Sequence, residues 1–262
     1  MNKQSSIDII MEDFFMRIYF INLKKHAFRT KIFAILLTVL VLAASAVGAI
    51  TNTLYDRIYV SAAAELAEEK VVIIDAGHGG EDSGAVGKNG VLEKDLNLEI
   101  ALTLGEMLTE RGYAVVYTRT DDRMLYKPEE NVKGIRKISD LKNRLAVASE
   151  YPGAIFVSIH MNSFGEEKYS GLQSYYSVGN EESRALADKI QLSVTNELQK
   201  ENNRKIKEGK DMYLLENIGN TAVLLECGFL TNAVECNSLC EKEYQKSLCF
   251  AIVCGIIEYI NG

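Results

Sequence analysis

Val71-Val72-Ile73-Ile74-Asp75-Ala76-Gly77-His78 is an apolar run that ends on a residue able to hold a metal. Two further runs end in the same way: Ala154-Ile155-Phe156-Val157-Ser158-Ile159-His160 and Ala222-Val223-Leu224-Leu225-Glu226. Parallel strands buried on both faces read as near-continuous apolar runs, and ligands of open α/β sheets gather beyond the carboxyl ends of such strands. The three terminal residues are therefore expected to converge on one crevice. Two imidazoles meeting carboxylates there suit a catalytic zinc site, with three protein ligands and one open position.

Outward from these runs, the chain alternates strand and helix signals. Leu96, Ile100, Leu104, Met107 and Leu108 keep helical spacing and close at Arg111-Gly112. Residues 113–118 read as a strand, 121–140 as a long polar loop and 139–149 as a helix leading into the second run. Residues 171–177 alternate like an edge strand, 181–199 are amphipathic, 202–210 form a polar loop and 241–260 a closing helix. This order predicts an α/β fold: a three-layer domain over 71–262 with a mainly parallel or mixed central sheet flanked by helices.

The 262 residues are 47% hydrophobic and 25% charged, ordinary for a folded protein, and the net charge of -7 argues against a nucleic-acid partner. Lys24, Lys25, Arg29 and Lys31 crowd before a stretch that carries no charge from Ile32 to Tyr55. By length and by the positive-inside rule, 32–52 is expected to be one N-terminal transmembrane helix that anchors the chain in the membrane. Its competitor is a cleaved signal sequence, for which Ala44-Ser45-Ala46 offers a small-residue site. Residues 1–31 would then be cytoplasmic, 53–70 a linker, and the domain outside the cytoplasm, or secreted if cleavage occurs. Five cysteines, Cys227, Cys236, Cys240, Cys249 and Cys254, lie near the C-terminus and read as small buried apolar groups.

His26 precedes the apolar stretch, which leaves His78 and His160 as the imidazoles of the outer domain. Asp75, Glu81, Asp82, Glu93, Asp95 and Glu226 are all candidates for a third ligand, and spacing does not choose among them. The loop from Gly77 to Gly90 lacks the spacing of a phosphate cradle, so its glycines are read as letting the backbone turn around a metal. Asn162 and Arg144 are candidates for contacting polar groups of a substrate, with a structural ion pair as the alternative for Arg144. Asp75 is a candidate for orienting His78 from behind.

Four ordered blocks, Asp75-Ala76-Gly77-His78-Gly79-Gly80, Leu92-Glu93-Lys94-Asp95-Leu96, Ser158-Ile159-His160-Met161-Asn162 and Leu225-Glu226-Cys227-Gly228-Phe229-Leu230-Thr231-Asn232, give the domain a family resemblance. It resembles the type 3 zinc-dependent N-acetylmuramoyl-L-alanine amidases, and among them the sporulation and germination members. Ala76, Met161 and Cys227 depart from the usual residues without removing a chemical group. The resemblance implies that His78, Glu93 and His160 hold one zinc ion and that Glu226 is the catalytic carboxylate, moving a proton from water to the leaving amine. It implies as substrate the peptidoglycan amide between the lactyl group of muramic acid and L-alanine, cut in spore cortex before muramic-δ-lactam forms. For some clostridial members it also implies an accessory lipoprotein that helps hold the metal. The rival readings are a zinc hydrolase of another peptidoglycan amide and a non-catalytic wall-binding homologue.

Overall fold

A computed structural model describes residues 38–40, 42–45, 47–48, 51, 70–132 and 134–262. The chain divides into two compact units, Met1–Ala64 and Glu65–Gly262. In the first, the described residues are helical, and Val39, Leu40, Leu42 and Val47 are exposed. Much of the expected anchor at 32–52, all of the cytoplasmic segment 1–31 and most of the linker fall outside the described residues. Among those described, no helix is long and apolar enough to cross a membrane.

The second unit runs β1 (Val71–Ala76), α1 (Glu93–Thr109), β2 (Ala114–Tyr117), α2 (Arg136–Ser149), β3 (Ile155–Asn162), β4 (Gln173–Tyr176) and α3 (Glu181–Glu197). It continues through β5 (Lys207–Glu208), α4 (Tyr213–Asn217), β6 (Thr221–Phe229), α5 (Ala233–Cys240) and α6 (Lys242–Asn261). One six-stranded sheet has the order β2-β1-β3-β6-β4-β5. Its β2, β1, β3 and β6 are parallel neighbours, whereas β4 joins β6 antiparallel.

Alternation along the strands divides the core into two layers. Val72, Ile74, Val157, Ile159, Val223 and Leu225 face α1, α3 and α6, which bury Leu96, Ile100, Leu104, Leu186, Ile190, Leu248 and Ile252. Ile73, Phe156, Ala222 and Leu224 face the other way, toward Ala148 of α2 and Leu214 and Leu215 of α4. Each fully buried aliphatic side chain contributes roughly 1.5–3 kcal/mol, so these layers fix the strands, and with them the positions just beyond their ends.

The expected edge strand is one place in from the edge, because β5 pairs with Tyr175 and Tyr176. β5 lies inside the stretch read as a polar loop; two charged residues give no hydrophobic period, and a short charged strand is an effective sheet edge. Helix α2 starts three residues earlier than its sequence signal, within the long loop, and α4 and α5 carried no signal strong enough to be anticipated. All five cysteines are free, and Cys227, Cys236 and Cys249 are buried. Burial pushes the Cys249 thiol up to about 12, as expected of an inert apolar group.

Candidate metal centre

The Gly-rich loop after β1 caps the helix that follows it. Ala85 O accepts from the Glu93 N–H and Ser83 O from the Lys94 N–H, so two free donors at the start of α1 are met by the loop instead of by a side-chain cap. This sets Glu93, a first-turn residue that is 4% exposed, under the loop. Its Oε1 lies 3.1 Å from His78 Nε2 and 3.1 Å from His160 Nδ1. One donor atom each from His78, Glu93 and His160 fall within 4.8 Å of one another, and among the described residues they are the group of that kind. Of the six acids that spacing left open, Glu93 is the one that joins the imidazoles.

The donor set and its surroundings fit a zinc ion. Two ring nitrogens and one carboxylate oxygen are the ligand types zinc takes in open catalytic sites. Glu93 is oriented by three donors, Met161 N–H and Asn97 Nδ2 to Oε1 at 3.1 and 3.4 Å and Ala85 N–H to Oε2 at 2.8 Å. A Cβ on Gly77 would run into the His160 ring, and one on Gly84 would lie 2.6 Å from Glu93 Oε2. Glycine at these positions is what lets His160 and Glu93 approach the loop.

The electrostatics fit a cation as well. Burial disfavours charge on Glu93, yet His160 and His78 outweigh it and hold the carboxyl well below its ordinary range. Burial likewise disfavours an imidazolium at His78, but Asp82 and Glu93 lift its pKa to about 9. The metal-free site thus gathers positive charge between its carboxylates.

His78 has φ 59°, the left-handed region that non-glycine residues rarely adopt. Its backbone is held there by two buried arginines. Arg144 donates to Ala76 O and His78 O, both at 2.7 Å; Arg119 donates to Ala76 O at 2.8 Å and Gly77 O at 2.9 Å. Each is 1% exposed. Arg144 was a candidate for substrate contact; the structure instead encloses it between Asp75 and Asp140, at 2.5 and 2.8 Å. Asp75 does not touch His78. Its oxygens accept from Thr118, Ser158 and Arg144, so it acts on the loop through Arg144. The carboxylate that faces His78 is Asp82, whose Oδ2 lies 3.0 Å from Nδ1, within ion-pair distance though not aligned as a hydrogen bond. Arg119 and the role of Asp82 went unnoticed in the sequence. Asp82 sits four residues after His78, and that spacing was the available signal.

Glu226 is the ladder partner of His160 on the adjacent parallel strand. Its Oε2 is buried and makes no hydrogen bond among the described residues. Burial pushes its carboxyl above the ordinary range and Glu93 adds to this, while His160 and His78 pull the other way. Asn162 is half-buried at the end of β3, and its carbonyl accepts from Leu230 N–H.

An open α/β sheet with a His-Glu-His group and a further carboxylate, Glu226, toward the carboxyl ends of its central strands has known counterparts. Residues 72–258 match Amidase_3, described as N-acetylmuramoyl-L-alanine amidase, and the chain belongs to that family. It is 36% identical over 194 residues to the germination-specific N-acetylmuramoyl-L-alanine amidase of Bacillus subtilis (strain 168), across 73% of this chain and 80% of that one. With YqiI of the same organism it shares 41% over 201 residues, across 76% and 89%. Among solved structures, the CwlD amidase from Clostridioides difficile in complex with the GerS lipoprotein is 41% identical with a TM-score of 0.71, over 73% of this chain and 98% of that one. AmiC2 of Nostoc punctiforme, an N-acetylmuramoyl-L-alanine amidase, is 30% identical with a TM-score of 0.64, over 74% and 98%.

Proposed function

We propose that the chain is a zinc-dependent amidase that hydrolyses the bond between the lactyl group of N-acetylmuramic acid and L-alanine in peptidoglycan, acting on spore cortex. The observation that carries this reading is the meeting of His78, Glu93 and His160 donor atoms within 4.8 Å, with Glu226 beside His160 in the sheet.

Zinc held by His78, Glu93 and His160 would supply a Lewis acid for the scissile carbonyl and for water. The protein's own part is proton transfer and positioning. Glu226 Oε2, buried and without a competing hydrogen bond, takes a proton from water and delivers it to the amine nitrogen that leaves with L-alanine. Burial raises its proton affinity toward the range in which it both accepts and returns a proton near neutral pH. Gly77 and Gly84, lacking side chains, keep the ligands close. Arg119 and Arg144 clamp the loop backbone, so His78 needs no rearrangement when substrate arrives.

The proposal includes a membrane tether through 32–52, with Glu65–Gly262 on the wall side. Its support is the basic cluster Lys24, Lys25, Arg29 and Lys31 before an uncharged stretch. It also includes an accessory lipoprotein, on the strength of the relative solved with one.

Mass spectrometry of muropeptides after incubating the full chain with peptidoglycan and zinc tests the reading, with Glu226→Gln and His160→Ala as controls. Release of peptides with a free L-alanine amine by the unaltered protein alone is expected. Products whose muramic acid remains substituted, or acetate release, would replace it with another amide specificity.

A further inference from the structure

The antiparallel pairing of β4 with β6 sets Gln173 directly opposite Glu226. Residues opposite each other in such a ladder project to the same face, with Cβ atoms roughly 5 Å apart. Gln173 Oε1 accepts from Tyr175 Oη at 3.3 Å and from Arg204 Nη1 at 3.2 Å. The buried Gln173 side chain thus stands between the proposed proton carrier and the Arg204 guanidinium, which are on the order of 10 Å apart.

Arg204 is built into place. Its guanidinium stacks 4.3 Å from the centroid of Phe229 and 5.8 Å from that of Tyr169, and Nε donates to Ser170 O at 2.8 Å. Yet among the described residues it has no carboxylate partner in an ion pair. The acid whose charge it influences, Glu235, is already taken by Gly171 N–H and Phe229 N–H at 2.8 and 2.7 Å. A guanidinium fixed by two rings and two acceptors, with donors left over, is preorganised for a planar anion. Arg204 also forms part of the wall of a cavity of about 690 Å³, whose other charged lining residues are Lys168, Lys200, Glu201 and Glu235. That size is ordinary for a small-ligand site.

We infer that Arg204 is a specificity-determining residue that binds a carboxylate of the stem peptide, two or three residues beyond the scissile amide. Extended peptide covers about 3.5 Å per residue, which spans the separation from Glu226 in that many steps. The inference rests on the amidase reading for the identity of the ligand. Amidation of the peptide's carboxyls, which removes the charge and keeps the shape, is the modification this subsite rejects.

The test is equilibrium binding of L-alanyl-γ-D-glutamyl-L-lysine to the full chain, with its carboxyls free or amidated, by chemical-shift titration. The free acid is expected to bind about tenfold or more tightly, the scale of a lost charge-assisted bidentate contact. Arg204→Gln should abolish that preference, and Arg204→Lys, which keeps the charge but loses the fork, should reduce it. Equal binding of the two peptides by the unaltered protein, or a preference that persists in folded Arg204→Gln, overturns the inference. Peptide release from peptidoglycan by the same preparation reports separately: cleavage without the preference sinks the subsite alone, and preference without cleavage sinks the amidase reading alone.

Discussion

Arg144 Nη2 donates to the carbonyl oxygen of His78 at 2.7 Å, while Nη1 of the same guanidinium binds Asp75 at 2.5 Å. A buried ion pair thus ends on the backbone of a proposed metal ligand. Arg144→Met would leave Asp75, which is 0% exposed, without its counter-charge. Breaking a buried pair in this way costs about 3–5 kcal/mol, which urea denaturation would read. Asp75→Asn combined with Arg144→Met should recover part of the loss, since the lone charge at Asp75 is then removed and Asp140, which still accepts from Leu125 N–H, is the one carboxylate of the pair left without Arg144.

Acid should expose the same pair. Burial alone would raise the Asp75 pKa, but Arg144, Ser158 and Thr118 hold it below its ordinary 3.8. A lowered folded-state pKa gives stability that is present above the unfolded value and lost as pH falls through the folded one. Melting temperature should therefore drop below about pH 4. Asp75→Asn should flatten that part of the curve; an unchanged acid slope would show that other carboxylates dominate.

Zinc uptake should release protons at neutral pH. His78 titrates near 9 without metal, raised from 6.5 by Asp82 and Glu93 against the effect of burial. Its imidazolium must lose a proton before Nε2 can bind a cation. Affinity should rise with pH up to about 9, and calorimetry in buffers of different ionisation enthalpy should show proton release. The sign for folding of the metal-free protein is fixed as well: the raised pKa adds stability below 6.5 that disappears as pH climbs through 9.

Asp82→Asn separates metal affinity from folding. Asp82 is 24% exposed, so its loss should change stability by under ~1 kcal/mol. Zinc affinity, measured by competition with a chromophoric chelator, should fall about 10- to 100-fold, as for other carboxylates behind a ligating histidine. An unchanged affinity would show that the Arg144 and Arg119 clamp suffices to orient the ring.

Gly84→Ala should do both kinds of damage at once. The residue has φ 64° and its Cβ would meet Glu93 Oε2 at 2.6 Å. Backbone strain of this kind costs about 1–3 kcal/mol. The melting temperature should fall, and zinc binding should weaken with it because Glu93 is displaced.

How far the sequence spoke follows from which forces were local. β1, β3 and β6 announced themselves because strands buried on two faces leave unbroken apolar runs, and each run ended on a site residue. Glu93 could not be told from five other acids, since the choice depends on how α1 docks beneath its loop. Arg119 and Arg144 look like surface residues by type. Their burial follows from carbonyls and carboxylates far along the chain, which no local period encodes. β5 and α4 are too short to show a period at all.

The ladder contact between His160 and Glu226 has a thermal consequence. Many enzymes carry their reacting groups on loops that loosen before the domain melts, so activity fades while the protein remains folded. Here a proposed ligand and a carboxylate share one pairing between the two central strands of the sheet, the last part of such a domain to open. Heat should therefore find no intermediate stage at which these two groups part while the core persists, and insertions into the surrounding loops leave their spacing untouched.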